Sequence, residues 1–171
     1  MPPSRSLMIG LLIAGLWMAG SSVSAQQARS GTELLAAAER SFSSIPFGAP
    51  EVTSGLTPIR RDACDPWGDC GYHDVDLVGH FFFDGELVVK AVDVGEVGDR
   101  PVEALGIGTA RLLDEVVARV RAFLPEVQVS CETSTDGDQY CHATLGEGWI
   151  TLVFDRSGHL TEVRIDAYHF T

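Results

Sequence analysis

Asparagine is absent from the 171-residue chain and lysine occurs once, at Lys90, so arginine carries almost all of the positive charge. Codon choice in a GC-rich genome produces this bias, which indicates a bacterial protein. The missing asparagine also excludes N-glycosylation, because every acceptor motif needs it. Basic residues number 12 against 24 acidic ones, a net charge of −12 that repels nucleic acid and anionic lipid. Such a surface favours a cationic partner, although solubility alone would also account for it.

A second long apolar run is also missing, and the single run that exists lies near the N-terminus. Arg5 precedes the apolar stretch Leu7–Ala19, and Val23 and Ala25 supply the small residues that signal peptidase requires. A membrane anchor is the alternative, but this run of about 13 residues is shorter than the roughly 20 that a spanning helix needs. We therefore predict that residues 1–25 are a cleaved signal peptide, that no membrane span remains after cleavage, and that the protein is periplasmic or secreted.

Residues 26–171 have the length of a single domain. Cleavage removes Arg5 alone among the charged residues, leaving 11 basic against 24 acidic residues and a formal charge of −13. All four cysteines fall in this part, and an even number in an oxidising compartment predicts two disulfides. Neither cysteine pair has the spacing of a zinc site, and we expect no metal and no cofactor.

An internal repeat organises the domain. Twelve residues separate Cys70 from Phe83-Asp84, and twelve also separate Cys141 from Phe154-Asp155. A shared spacing of this kind predicts a duplication, with residues 26–98 as the first half and residues 99–171 as the second. The predicted fold class is α+β, with two tandem helix-plus-antiparallel-sheet halves forming one disulfide-containing domain.

Capping and periodicity predict one helix in each half. Ser30 and Glu33 form a capping-box pattern, which predicts a helix extending to about Ser43. Thr109 is the predicted N-cap of the second helix, which Pro125 ends. The stretch 94–100 between the halves is predicted to be a linker.

Alternation predicts the strands, and glycine-containing pairs such as Asp84-Gly85 predict the hairpin turns. One strand is predicted to place the following residues on one face: Val75, Leu77, Gly79, Phe81 and Phe83. His80 is predicted to lie on the opposite face as a solvent-side residue, with Asp74 and Asp76.

The hairpins favour one of the three pairings that four cysteines allow. Cys131 and Cys141 fall on the two arms of one predicted hairpin, close enough to be bridged across it. If the halves are homologous, Cys64 and Cys70 occupy the equivalent place. We therefore expect the local pairs Cys64–Cys70 and Cys131–Cys141.

The ring closed by Cys64 and Cys70 is the predicted binding site. Its five inner residues are Asp65, Pro66, Trp67, Gly68 and Asp69. Pro66 fixes one backbone angle and Gly68 permits a tight turn, so Trp67 would lose little entropy on docking and is the predicted anchor. The alternative is that Trp67 folds back as a lid over the core.

No recognised catalytic motif occurs, and we predict no catalytic residues. The alternative is an envelope hydrolase acting on cell-wall or carbohydrate material, for which Glu147, His73 and His142 would have to converge in a pocket. A structural role in envelope maintenance also stays open.

The two halves, each a helix followed by antiparallel strands and a cysteine pair, resemble the β-lactamase inhibitor proteins of actinobacteria and PepSY-type modules. The stretch from Cys64 to Gly71 is similar to the disulfide loop that bacterial inhibitors of vertebrate lysozyme insert into their target, although here it is one residue longer and carries no histidine. Both resemblances imply a non-enzymatic binder that acts by surface contact. The expected function is that of an exported inhibitor or immunity-like partner of another, cationic, exported protein.

Overall fold

The computed structural model describes residues 28–51, 55–59, 64 and 68–168. The predicted signal peptide lies outside the described residues. The helices are α1 (Gly31–Phe42), α2 (Val94–Val97) and α3 (Leu113–Phe123), with a 3-10 turn at Ala104–Gly106. The strands are β1 (Thr57–Pro58), β2 (Cys70–His73), β3 (Val78–Phe83), β4 (Glu86–Asp93), β5 (Ser130–Thr133), β6 (Gln139–Leu145), β7 (Gly148–Phe154) and β8 (Leu160–Asp166). Within the described ranges, no helix has the length and apolar character needed to span a bilayer.

The eight strands form one antiparallel sheet in the order β1-β2-β3-β4-β8-β7-β6-β5. Strands β1 to β4 follow one another as a meander, β5 to β8 do the same, and the two meanders meet where β4 pairs with β8. The predicted α+β class is confirmed. The duplication of the chain stays a prediction.

The helices pack on one face of this sheet and bury the main core. Helix α1 contributes Leu34, Ala38 and Phe42, which recur at helical spacing and belong to the same buried cluster as strand residues such as Ile150 and Ile165. Along β7 buried and half-buried residues alternate strictly, as expected where one face of a strand is covered and the other is not. No described helix covers the second face.

The capping-box prediction for α1 is confirmed, whereas the predicted start of the second helix is wrong. The Ser30 backbone N–H donates to Glu33 Oε2 at 2.7 Å, and the Glu33 N–H donates to Ser30 Oγ at 3.3 Å. Helix α3 begins at Leu113 instead of after Thr109. The chain just before it is held extended against the β7–β8 turn, because the Leu160 N–H donates to the Arg111 carbonyl. Tertiary pairing therefore delays the helix.

The predicted linker 94–100 begins with a helical turn. Asp93 accepts hydrogen bonds from the N–H groups of Gly95 and Glu96 through its carboxylate, and this cap starts α2 at Val94. Val94 and Val97 are buried in the core, so the connection between the meanders is anchored to the sheet.

The prediction that His80 faces solvent is wrong. Strand β3 begins at Val78 because Asp74 and the three residues after it form a turn, in which the Asp74 carboxylate accepts the Val78 N–H. The shared face of Phe81 and Phe83 is as predicted, but it is the uncovered face, and their side chains are 37% and 44% exposed. His80 is fully buried beneath the helices.

A polar cluster lies under α1 beside His80. Lys90 is fully buried, and its Nζ lies 3.4 Å from Glu39 Oε1 and 3.2 Å from the Ser43 carbonyl oxygen. The ammonium also lies 5.3 Å from the centre of the Phe47 ring. His80 Nε2 is 2.8 Å from Ser43 Oγ. The cluster therefore ties α1 to the centre of β3 and β4.

Burial of His80 predicts an acid-sensitive fold. Desolvation lowers the pKa of His80, and Lys90 lowers it further, while Asp74 acts in the opposite direction. The unfolded chain therefore binds the His80 proton more tightly than the folded protein does. The folded protein is most stable above the ordinary histidine pKa, and it loses stability as the pH falls through that pKa towards the lower pKa of the folded state. We expect about 1 kcal/mol of stability to be lost between pH 7.5 and pH 5.5, and His80→Gln to remove most of this dependence.

Denaturant unfolding at the two pH values measures this difference. His159→Gln is the matched control, because the His159 side chain is 58% exposed. An unchanged pH dependence in His80→Gln would show that another group is responsible.

Candidate functional site

Both predicted disulfides, Cys64–Cys70 and Cys131–Cys141, are present. Three residues of the predicted binding loop, Asp65, Pro66 and Trp67, lie outside the described residues. Gly68 is exposed, and Asp69 lines a cavity on the uncovered side of the sheet. The base of the loop therefore adjoins that side.

Within the described residues, Glu51 lies near the sulfur atoms of Cys64 and Cys70 and forms with them the one close group of metal-ligand atoms. Both sulfurs are oxidised in a disulfide, and metal coordination by cysteine requires a thiolate. The geometry of this group therefore does not indicate a metal site.

The three residues proposed for a hydrolase do not converge. His73 ends β2 and His142 lies in β6, and the strands β3, β4, β8 and β7 separate them. At the usual strand spacing, this places the two histidines about 24 Å apart. His73 Nε2 instead lies 3.2 Å from Glu96 Oε2. The convergence of Glu147, His73 and His142 that the alternative hydrolase would require is therefore absent, and it could not be judged from sequence because local patterns carry no information on strand order.

The side of the sheet that faces away from the helices is the candidate site, and we call it the open face. Cross-strand register places the following side chains on it: Phe81, Phe83, Val89, Ala91, Tyr140, His142, Trp149, Thr151, Val153, Glu162, Arg164 and Asp166. Aromatic rings lie towards both ends of this surface, and the charged residues of β8 lie between them. Sequence reasoning missed this arrangement, although the alternation of charged and apolar residues along β8 is a signal for it.

A stack of three rings occupies the second-meander end of the open face. The Tyr140 and His142 rings are nearly parallel at 6.3 Å between centroids, and the His142 and Trp149 rings are 5.4 Å apart. The Trp149 indole N–H donates to His142 Nδ1 at 3.2 Å, so that nitrogen must be unprotonated. His142 Nε2 lies 3.5 Å from Glu132 Oε1 on β5. This network fixes the orientation of the indole.

Glycine backbone supports the aromatic residues of the first meander. A Cβ on Gly79 would lie 2.9 Å from the Phe81 ring, and a Cβ on Gly71 would lie 3.1 Å from it. The ring therefore lies flat on two strands that carry no side chains at these positions. This close approach holds Phe81 in place while leaving one side of its ring accessible.

Two cavities on the open face, one beside each group of aromatic residues, adjoin at the centre of the sheet. A cavity of about 430 Å³ includes Asp69, Phe81 and Phe83 in its lining, and one of about 450 Å³ includes Tyr140 and Trp149. Two residues line both cavities, Glu162 and Arg164. The cavities therefore lie next to each other across the strands, with the charges of β8 between them, and we call the two together the groove.

Charge in the groove is unevenly matched. The Arg164 guanidinium binds Asp166 through Nε at 3.0 and 2.9 Å and through Nη2 at 2.5 Å, which raises the pKa of Arg164. Burial raises the pKa of Glu162, Arg164 lowers it, and Asp93 and Asp166 raise it further. No described side chain forms a hydrogen bond or an ion pair with the Glu162 carboxylate. Glu162 is therefore a half-buried acid, and Arg164, the described cation that lowers its pKa, already binds Asp166.

These features suit recognition by contact. Rigidly held rings supply apolar area at little entropic cost, and a carboxylate between them supplies charge selectivity. Comparison of the chain with protein-family models, with curated proteins and with solved structures found no match.

Proposed function

We propose that the protein is an exported, non-enzymatic binding protein that captures another exported protein on its open face, as an inhibitor or immunity-like partner does. The observation that carries this proposal is the aromatic surface on the side of the sheet that no described helix covers. Large aromatic rings held rigidly in an accessible groove are typical of binding hot spots. The resemblance to exported inhibitor proteins favours the same conclusion.

The dimensions of the groove favour a macromolecule over a small ligand. It crosses five strands, from β3 to β6, which is about 19 Å at the usual strand spacing. Phe81 and Phe83 remain 37% and 44% exposed, whereas sites for small molecules bury most of their ligand. A protein surface that protrudes into the groove would contact both aromatic ends at once.

The disulfides support both export and rigidity. Bonds of this kind persist in oxidising compartments, in agreement with the signal-like N-terminus. Cys64–Cys70 closes the loop whose base includes Asp69, and Cys131–Cys141 ties the edge strand β5 to β6. A surface fixed before binding loses less entropy on association. The loop with Trp67 is part of the proposed interface.

Aromatic substitutions on the two sides of the sheet test the proposal. The immobilised protein captures partners from the exported proteins of its own bacterium, and the affinity of each purified partner is then measured for each variant. We expect Phe81→Ala and Trp149→Ala to weaken binding about 30-fold, since hot-spot truncation costs about 2 kcal/mol or more.

Phe123→Ala is the matched control, because Phe123 on α3 has the same 37% exposure as Phe81 but lies on the helical side. Equal losses for Phe81→Ala and Phe123→Ala would contradict the proposal, as would the recovery of no partner. Raising the salt concentration from about 0.05 M to about 0.5 M should weaken the binding of a cationic partner, because salt screens the acidic surface.

A further inference from the structure

The centre of the groove carries a carboxylate, that of Glu162, which forms no hydrogen bond or ion pair with any described side chain. Glu162 lies on β8, opposite Val153 of β7 and Asp93 of β4, and its side chain lines both the cavity that contains Phe81 and the cavity that contains Trp149. Its carboxylate is half-buried, and Arg164 two residues along binds Asp166 instead. A lone carboxylate in such a place costs free energy that an incoming cation would offset.

We infer that Glu162 is the pairing position for a lysine or arginine side chain of the partner protein, which enters the groove between the Phe81 end and the Trp149 end. This inference rests on the proposed function and adds the chemistry of the partner. On β8 the groove carries two acids, Glu162 and Asp166, and one cation, Arg164, so a basic side chain complements the site. The faces of the flanking rings also attract cations.

A basic side chain is preferred because an acidic or an apolar side chain in the same position would be electrostatically unfavourable. An acidic group entering here would add a like charge beside Glu162 and Asp166. A purely apolar side chain would bury the Glu162 carboxylate further without pairing it. A lysine or arginine avoids both costs, and arginine can also bind a carboxylate through two parallel hydrogen bonds.

A small probe tests the site without the partner. Acetyl-arginine amide carries one guanidinium, and acetyl-citrulline amide is its neutral isostere. In NMR titrations of the full protein, we expect the arginine probe to shift the Trp149 indole N–H and the Phe81 ring resonances with weak, saturable binding. The citrulline probe should bind at least fivefold more weakly, and Glu162→Gln should remove the difference between the two probes.

The same substitution is then measured against the captured partner. We expect Glu162→Gln to weaken the complex about tenfold without lowering the melting temperature, because no hydrogen bond within the described protein is lost. Glu115→Gln on α3 is the matched control, since Glu115 is exposed on the helical side and the change in net charge is the same.

The outcomes separate the inference from the function on which it rests. If Phe81→Ala weakens partner binding but Glu162→Gln and Glu115→Gln change the affinity equally, the binding function stands and the pairing role of Glu162 is overturned. If neither Phe81→Ala nor Glu162→Gln weakens it, both are overturned. Two equally bound probes would also overturn the pairing role, as would a dimer of the free protein that Phe81→Ala dissociates, because a second copy would then cover the groove.

Discussion

Replacing Glu39 by glutamine is expected to destabilise the protein by about 3 kcal/mol, because it removes the charge that faces a fully buried lysine. Glutamine keeps a carbonyl oxygen that can accept the Phe47 N–H, which Glu39 Oε1 accepts in the native protein. The loss of stability therefore measures the cost of leaving the buried Lys90 ammonium without a charged partner. Denaturant unfolding followed by circular dichroism measures it.

The effect should depend on pH in a defined direction. Burial lowers the pKa of Lys90, and the Glu39 charge acts to raise it. The unfolded chain therefore binds the Lys90 proton more tightly than the folded protein does. Stability is lowest below the folded pKa of Lys90, and it rises as the pH increases towards the ordinary lysine pKa. Without the Glu39 charge the folded pKa drops further. We expect the gap between Glu39→Gln and wild type to be largest near pH 7 and to narrow towards about pH 10.

Two further variants make this interpretation specific. Adding Lys90→Met to Glu39→Gln should recover much of the loss, because a flexible apolar side chain of similar length then replaces the stranded charge. Glu126→Gln breaks the surface pair with Arg29, whose side chain is 34% exposed, and should cost far less. Equal losses in Glu39→Gln and Glu126→Gln would show that Lys90 does not depend on Glu39.

Removing the second disulfide by Cys131→Ala and Cys141→Ala is expected to lower the free energy of unfolding by about 2–3 kcal/mol. All four residues of β5 are exposed, so this edge strand has little apolar burial to hold it once the covalent link is gone. Hydrogen exchange should show loss of protection in β5 while β7 and β8 keep theirs. Thermal unfolding measures the stability.

Loss of the same disulfide should also affect the groove. Glu132 of β5 faces His142, which accepts the Trp149 indole N–H, so a detached β5 would loosen the ring stack. We expect weaker partner binding in the double variant, although neither cysteine lies on the open face. Unchanged stability together with full protection of β5 would contradict the assigned role of the bond.

The features that could be predicted from sequence are those with local causes. Asp84 and Gly85 adopt the positive φ angles, 51° and 77°, that a tight hairpin turn requires, and Asp-Gly pairs are a strong signal for such turns. The same turn logic placed Cys131 opposite Cys141, and the register confirms it. The capping box at Ser30 is equally local.

The features that could not be predicted depend on contacts between distant residues. Alternation in β3 predicted which residues share a face, but the packing of distant helices decides which face is covered, so His80 was assigned to solvent and Phe81 was not recognised as a surface residue. The start of α3 depends on pairing with the β7–β8 turn. The groove itself requires the order of strands across the sheet, which brings β3 and β7 to the same surface.

Strand order also constrains how the chain can fold. Strand β8 is last in sequence among the described strands, yet it lies in the middle of the sheet, between β4 and β7. Each meander can form from neighbouring hairpins. In the first meander, however, the edge of β4 that faces away from β3 has no strand to pair with until β8 is in place. During synthesis the edge of β4 therefore stays unpaired until nearly all of the described strands have emerged. That interval is when mispairing with other chains is most favourable, and chaperone protection would matter most then.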